Sequence, residues 1–130
     1  MSLSSGRRVA LLALIGLCWI LLPACGNQNS TMPAIVVTFT PGFTPPAAMA
    51  TGGSAGIAAT ITNGPQNAVV NWSATCGSTD CGSFDPTSTA STIPTTYTAP
   101  ASVPSGGTVT VIATSANDAT KSVSASITIQ

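Results

Sequence analysis

KSVSASITI, residues Lys121 to Ile129, alternates without a break: Val123, Ala125, Ile127 and Ile129 share one side, and Ser122, Ser124, Ser126 and Thr128 the other. Neighbouring side chains of an extended chain point to opposite faces, so this spacing predicts a strand with its apolar face toward a core and its hydroxyl face toward water. Thr108 to Ser115 repeats the pattern, with Val109, Val111 and Ala113 aligned. The link from Ser115 to Lys121, centred on Asn117-Asp118, is short enough for a hairpin. Further toward the N-terminus, Ala68 to Ala74 places Val70, Trp72 and Ala74 together. Gly56 to Thr62 reads as one strand, with Ile57, Ala59 and Ile61 inward and Ala58, Thr60 and Thr62 outward. Ala34 to Phe39 and Thr95 to Thr98, around Tyr97, are shorter runs, and Pro41-Gly42, Pro45-Pro46 and Asn63-Gly64-Pro65 punctuate them as turns. No segment after Cys25 sustains a 3.6-residue period. The expectation is an all-β chain: a single antiparallel β-sandwich of about seven strands, since parallel neighbours need crossovers of about a dozen residues or more.

The N-terminus reads MSLSSGRRVALLALIGLCWILLPAC. Arg7 and Arg8 form a positive start, and the apolar run from Val9 to Leu22 fits the hydrophobic region of a signal peptide. It is too short for a transmembrane helix, which takes about 20 residues. Leu22-Pro23-Ala24-Cys25 resembles a lipobox, the motif of lipoprotein signal peptidase. Leu22 would fill an apolar subsite, the small Ala24 would admit the backbone, and the Cys25 thiol would carry diacylglycerol. Leu17 is too large to make Cys18 a rival. The arginine pair also raises twin-arginine export, but the rest of that motif is missing, and the apolar run favours the general secretory route. Residues 1–24 are therefore expected to be a cleaved signal peptide, 25–34 a lipidated N-terminus and tether, and 35–130 the sandwich domain. The resemblance implies a lipid anchor at a bacterial membrane, with the outer membrane favoured where there is one, because Gly26 rather than Asp follows the cysteine.

Of the 130 residues, 5% are charged, against roughly a quarter in ordinary soluble domains. After Cys25 there remain Lys121, Asp80, Asp85 and Asp118. One lysine cannot build the basic surface that nucleic acid requires. Ser and Thr supply 33 of the 106 residues from Cys25 onward, so hydroxyls rather than charges must keep the surface wet.

Three segments carry a resemblance to a known family. VNWSATCGSTDCGSFDP runs from Val70 to Pro86, TTYTAPASVPSGGTVTVIATSANDATKSVSASITI from Thr95 to Ile129, and GIAATITN precedes the tryptophan strand. Together they resemble bacterial immunoglobulin-like domains of the group-2 kind, over roughly residues 34 to 130. The resemblance implies an immunoglobulin-like sandwich. Function follows weakly, since such domains serve as spacers, adhesive modules and enzyme appendages. A single copy on a short tether is not expected to act as a long stalk.

Cys76 and Cys81 lie in CGSTDC. In an exported chain a structural disulfide is the default, worth roughly 2 kcal/mol for so small a ring. A redox or zinc pair is the alternative, but the spacing is not C-x-x-C and the chain has no histidine. Trp72 shares a face with Val70 and Ala74 and is expected in the core rather than on a sugar-binding platform. Tyr97 is expected to anchor a corner, its hydroxyl bonded to backbone. With neither histidine nor glutamate, catalysis has few parts, and no cofactor or metal is expected. The expected function is a non-catalytic structural or interaction module at the cell envelope, held to a membrane through the lipid on Cys25 and meeting an envelope protein or glycan. A carbohydrate-binding lipoprotein is the alternative; it would need Phe39, Phe43, Phe84 or Tyr97 exposed.

Overall fold

The computed structural model describes residues Thr31 to Gln130. The expected signal peptide, the expected lipidation site at Cys25 and the expected tether as far as Ser30 lie outside the described residues. Ten strands run through the described part: β1 (Val36–Phe39), β2 (Ala48–Met49), β3 (Ser54–Ile57), β4 (Ala59–Thr62), β5 (Val69–Cys76), β6 (Ser83–Asp85), β7 (Ser88–Ala90), β8 (Thr95–Thr98), β9 (Thr108–Ser115) and β10 (Ser122–Ile129). No helix occurs among the described residues, and the fold is all-β.

The three eight-residue strands β10, β9 and β5 lie side by side in a sheet of order β2-β10-β9-β5-β7. Their register turns the sequence alternation into two surfaces. On the inner side, Val123, Ala113 and Trp72 stand in one row, and Ala125, Val111 and Ala74 in the next. On the outer side the rows are Ser124, Ile112 and Ser73, then Ser126, Thr110 and Thr75. Slipping β10 by one residue would exchange its apolar and hydroxyl sets, so burial on one side pins the register. Ser115 continues the inward series of β9 and is buried; its Oγ accepts the backbone N–H groups of Asn117 and Asp118, which folds the hairpin loop over it.

The remaining strands form a three-stranded sheet, β3-β8-β6, and a pair, β1-β4. Here the structure corrects the reading of Gly56 to Thr62 as one strand with Ala58 outward. Ile57, Ala58 and Ala59 are all fully buried. Three successive inward residues cannot belong to one regular strand, whose side chains alternate. The chain kinks at Ala58, whose N–H donates to the Phe43 carbonyl (2.9 Å) while its own carbonyl accepts from Thr40 N–H (2.9 Å). β3 before the kink pairs with β8, and β4 after it pairs with β1.

Two further differences from expectation concern short strands. There are ten strands rather than about seven, because β2, β6 and β7 are two or three residues long and too brief to show a period. The sheets are also not wholly antiparallel: β2 runs parallel to the end of β10, pairing Ala48 with Thr128 and Met49 with Ile129. The roughly 80 residues between them supply the crossover that a parallel pair demands.

Side chains from all three sheets meet in one sandwich-like core. Val37, Ile57, Ala59, Ile61 and Tyr97 come from one side, and Val70, Trp72, Val109, Val111, Ala113, Ile127 and Ile129 from the other. From Cys25 onward the chain has no leucine, so the core is built from small β-branched residues and alanine. Each fully buried Val or Ile contributes roughly 1.5–3 kcal/mol. The bulk that such a core lacks comes from an aromatic stack: Trp72 on Phe84 (centroids 5.9 Å apart) and Phe84 on Tyr97 (5.0 Å).

Candidate functional site

Polar chemistry gathers where β5 ends. Cys76 closes β5 and is bonded to Cys81, with Cα atoms 5.6 Å apart. The bond draws Gly77-Ser78-Thr79-Asp80 into a tight exposed loop. Three contacts fasten it. Ser105 N–H donates to Ser78 Oγ at 2.9 Å, which docks the loop on the segment before β9. Gly82 N–H donates to the Asp80 carboxylate at 2.9 Å. Tyr97, fully buried on β8, donates its hydroxyl to the Cys81 carbonyl at 2.8 Å. Burial, and secondarily the negative charge of Asp80, holds the Tyr97 phenol above its ordinary pKa, so it remains a donor through the neutral range.

Gly82 is the hinge of this arrangement. Its φ is +84°, a conformation that costs an L-residue roughly 1–2 kcal/mol. A Cβ there would collide with the Thr98 carbonyl oxygen and stand 2.7 Å from the Tyr97 hydroxyl. Gly77 is under similar pressure, since a Cβ would lie 2.6 Å from the Ser105 carbonyl. The loop is therefore packed to backbone density on both flanks, and its exposed rim, Ser78, Thr79 and Asp80, is a preformed polar surface.

The sequence treated Trp72, Tyr97 and the cysteine pair as separate features; the structure brings them together. Trp72 is 6% exposed. Its indole N–H donates to Thr89 Oγ1 at 3.0 Å, a buried bond to the short edge strand β7. Phe84 bridges Trp72 to Tyr97, and Tyr97 ties the stack to the disulfide loop. Thr89, Phe84 and Gly82 were missed as participants. Gly82, next to a loop cysteine, offered a weak signal; Thr89 offered none, because its partner lies 17 residues away on another strand.

At the other end of β10 a cleft of about 300 Å³ is lined by Ala34 to Val37 and by Thr120, Lys121 and Ser122. Nearby, Asp118 accepts from the Thr120 hydroxyl (2.6 Å) and backbone N–H (3.0 Å), which holds its carboxyl below its ordinary pKa. Of the rings that could face a sugar, Phe39 and Phe84 are half-buried, Tyr97 is buried and Phe43 is 43% exposed. Among the described residues, no three acidic, histidine or cysteine side chains gather in a metal-sized cluster. Comparison with protein-family models, with curated proteins and with solved structures finds no match for this chain.

Proposed function

We propose that this chain is a lipid-anchored bacterial envelope protein whose described part is one immunoglobulin-like domain, acting as a non-catalytic structural or interaction module. The strand order carries the domain reading. An immunoglobulin sandwich puts its first, second, fifth and fourth strands in one sheet and its third, sixth and seventh in the other. Counting the kinked β3 and β4 as one second strand, the order β1-β4, β3-β8-β6 supplies the first set, and β5-β9-β10 supplies the second. β2 and β7 are then additions at the two edges of the second sheet, which reconciles ten strands with about seven.

The lipid anchor rests on Leu22-Pro23-Ala24-Cys25 and the apolar run before it. A tether from Gly26 to Ala34 spans at most about 30 Å at ~3.3 Å per residue, so the domain would stand close to its membrane. The clamped loop around Cys76 and Cys81 fits a module that must present a fixed surface, because a rigid partner loses less entropy on binding. The sugar-binding alternative draws less support: Trp72 and Tyr97 are in the core, which leaves Phe43 as the exposed ring among the described residues.

The anchor is tested by mass spectrometry of the protein in the membrane fraction. The expected result is an acylated N-terminal peptide beginning at Cys25, lost in a Cys25→Ser variant. An unmodified Cys25 on a cleaved chain, or a Cys25→Ser variant still acylated at its N-terminus, would refute it. A glycan array probed with the domain separates the two functional readings; binding abolished by Phe43→Ala would favour the carbohydrate reading.

A further inference from the structure

We infer that the end of the domain where the chain enters docks on the anchoring membrane, with Met32 and Val36 in the lipid headgroup layer and Lys121 on lipid phosphate; the inference rests on the lipid anchor proposed above. Strand register defines the two ends of the domain. β1 begins at Val36, opposite Thr62 at the close of β4. The turn from β4 to β5 and the turn from β9 to β10 share this end, since Val70 near the start of β5 pairs with Ser115 at the close of β9. β5 then runs from Val69 to Cys76, roughly 23 Å at ~3.3 Å per residue, so the disulfide loop lies at the opposite end.

Apolar exposure and charge both single out the entry end. Met32 is 87% exposed, the most of any large apolar side chain among the described residues, and Val36, four residues on, is 46% exposed. Val36 turns outward from a strand held firmly in place, because Val37 belongs to the core and Ile35 packs against it. Asn63 Nδ2 donates to the Ala34 carbonyl at 3.0 Å, which fixes the point where the chain leaves the domain. Lys121, the one cation after Cys25, lies across the cleft from Val36 and Val37. Asp118 is beside it, so the two charges nearly cancel at this end. The other acidic residues lie elsewhere, Asp80 on the disulfide loop and Asp85 on β6. An anionic headgroup surface therefore repels the far end of the domain and not this one.

Tether length selects the membrane as occupant. Cys25 precedes Ala34 by nine residues, a span of at most about 30 Å. A lipid on Cys25 thus keeps the bilayer within constant reach of Met32 and Val36. Confinement on a short linker corresponds to an effective concentration on the order of millimolar, so a contact too weak to hold a free domain suffices for a tethered one. Met32 and Val36 supply the apolar area, and the Lys121 stem adds to it while its ammonium stays among the phosphates. The domain then stands on its entry end, and Ser78, Thr79 and Asp80 are displayed one strand length above the lipid.

The test uses the acylated protein purified from membranes and reconstituted in vesicles of phosphatidylethanolamine and phosphatidylglycerol, a fraction of the lipids carrying a nitroxide on the headgroup. A bimane fluorophore is attached at Ala119→Cys, exposed in the β9–β10 turn, or at Ser102→Cys, exposed in the segment before β9 at the far end. With Cys76 bonded to Cys81, Cys25 acylated and Cys18 removed with the signal peptide, the introduced thiol takes the label. The expected result is strong quenching at Ala119→Cys and little at Ser102→Cys. Met32→Ser combined with Val36→Ser should lose the quenching while the protein stays on the vesicles. Lys121→Glu, a surface change that keeps its backbone hydrogen bonds, should lose it too, and decides the matter should the double variant fail to fold. Equal quenching at the two sites, none at either, or quenching at Ala119→Cys that survives Lys121→Glu would overturn the docking, while acylation of the same samples by mass spectrometry leaves the anchor standing. A protein that carries no acyl group on Cys25 and leaves the vesicles would overturn the anchor and the docking together.

Discussion

Replacing Thr89 by Val tests the buried bond that holds the tryptophan strand to its short neighbour. The two side chains have nearly the same shape, so the change removes one hydroxyl and leaves the packing in place. Trp72 Nε1 then points at a methyl group instead of Thr89 Oγ1, now 3.0 Å away, at a site where both residues are 6% exposed. An indole N–H donates and cannot accept, and no water reaches so covered a position readily. Leaving a buried donor unpaired costs about 1–3 kcal/mol, while the new methyl group recovers up to about 0.8 kcal/mol of apolar burial. The expected net loss is about 1–2 kcal/mol. The second half of the argument is a cycle. With Phe at position 72 there is no N–H to satisfy, so Thr89→Val should cost nothing or stabilise slightly. The coupling between the two positions should then be about 1 kcal/mol or more. Urea unfolding of the chain from Gly26 onward, followed by far-UV circular dichroism so that losing the tryptophan does not blind the probe, measures all four variants. A Thr89→Val effect below about 0.3 kcal/mol, or one unchanged by Trp72→Phe, would refute the claim that this bond matters.

Ile127→Ser should cost several times more stability than Ser126→Ala, because Ile127 is fully buried and Ser126 faces water; equal losses in urea titrations would contradict the alternation of β10. Gly82→Ala should lower stability by roughly 3 kcal/mol or more, combining left-handed strain with a collision at the Thr98 carbonyl; a thermal midpoint within a degree or two of the parent's would show the loop to be slack. Stability should fall as pH rises above about 10, since the unfolded chain releases the Tyr97 proton there while the folded chain, its pKa raised, holds it. The linked stability is thus present below pH ~10 and lost as pH climbs toward the folded-state pKa. Tyr97→Phe should start less stable and lose less between pH 8 and 11 in thermal melts, and an equally steep alkaline loss would assign the effect elsewhere.

The sequence by itself determined the strands that are long enough to repeat. β9 and β10 were legible to within a residue, with the inward side chains of each identified, because eight alternating residues leave little room for another reading. Cys76 and Cys81 were legible as a pair from export and spacing. Only the tertiary structure decided the rest, and the reason is range. The kink at Ala58 arises because two different partners, β8 and β1, bond the chain on either side of it; the apolar run Ile57-Ala58-Ala59 carries no sign of either. β2, β6 and β7 are strands only because long neighbours supply their hydrogen bonds, as a two- or three-residue run has no period of its own. Thr89 is a partner of Trp72 only because the register of β5 on β7 brings Val70 opposite it, two residues from the indole. Alternation is a local property written into the chain, whereas pairing joins residues distant in sequence.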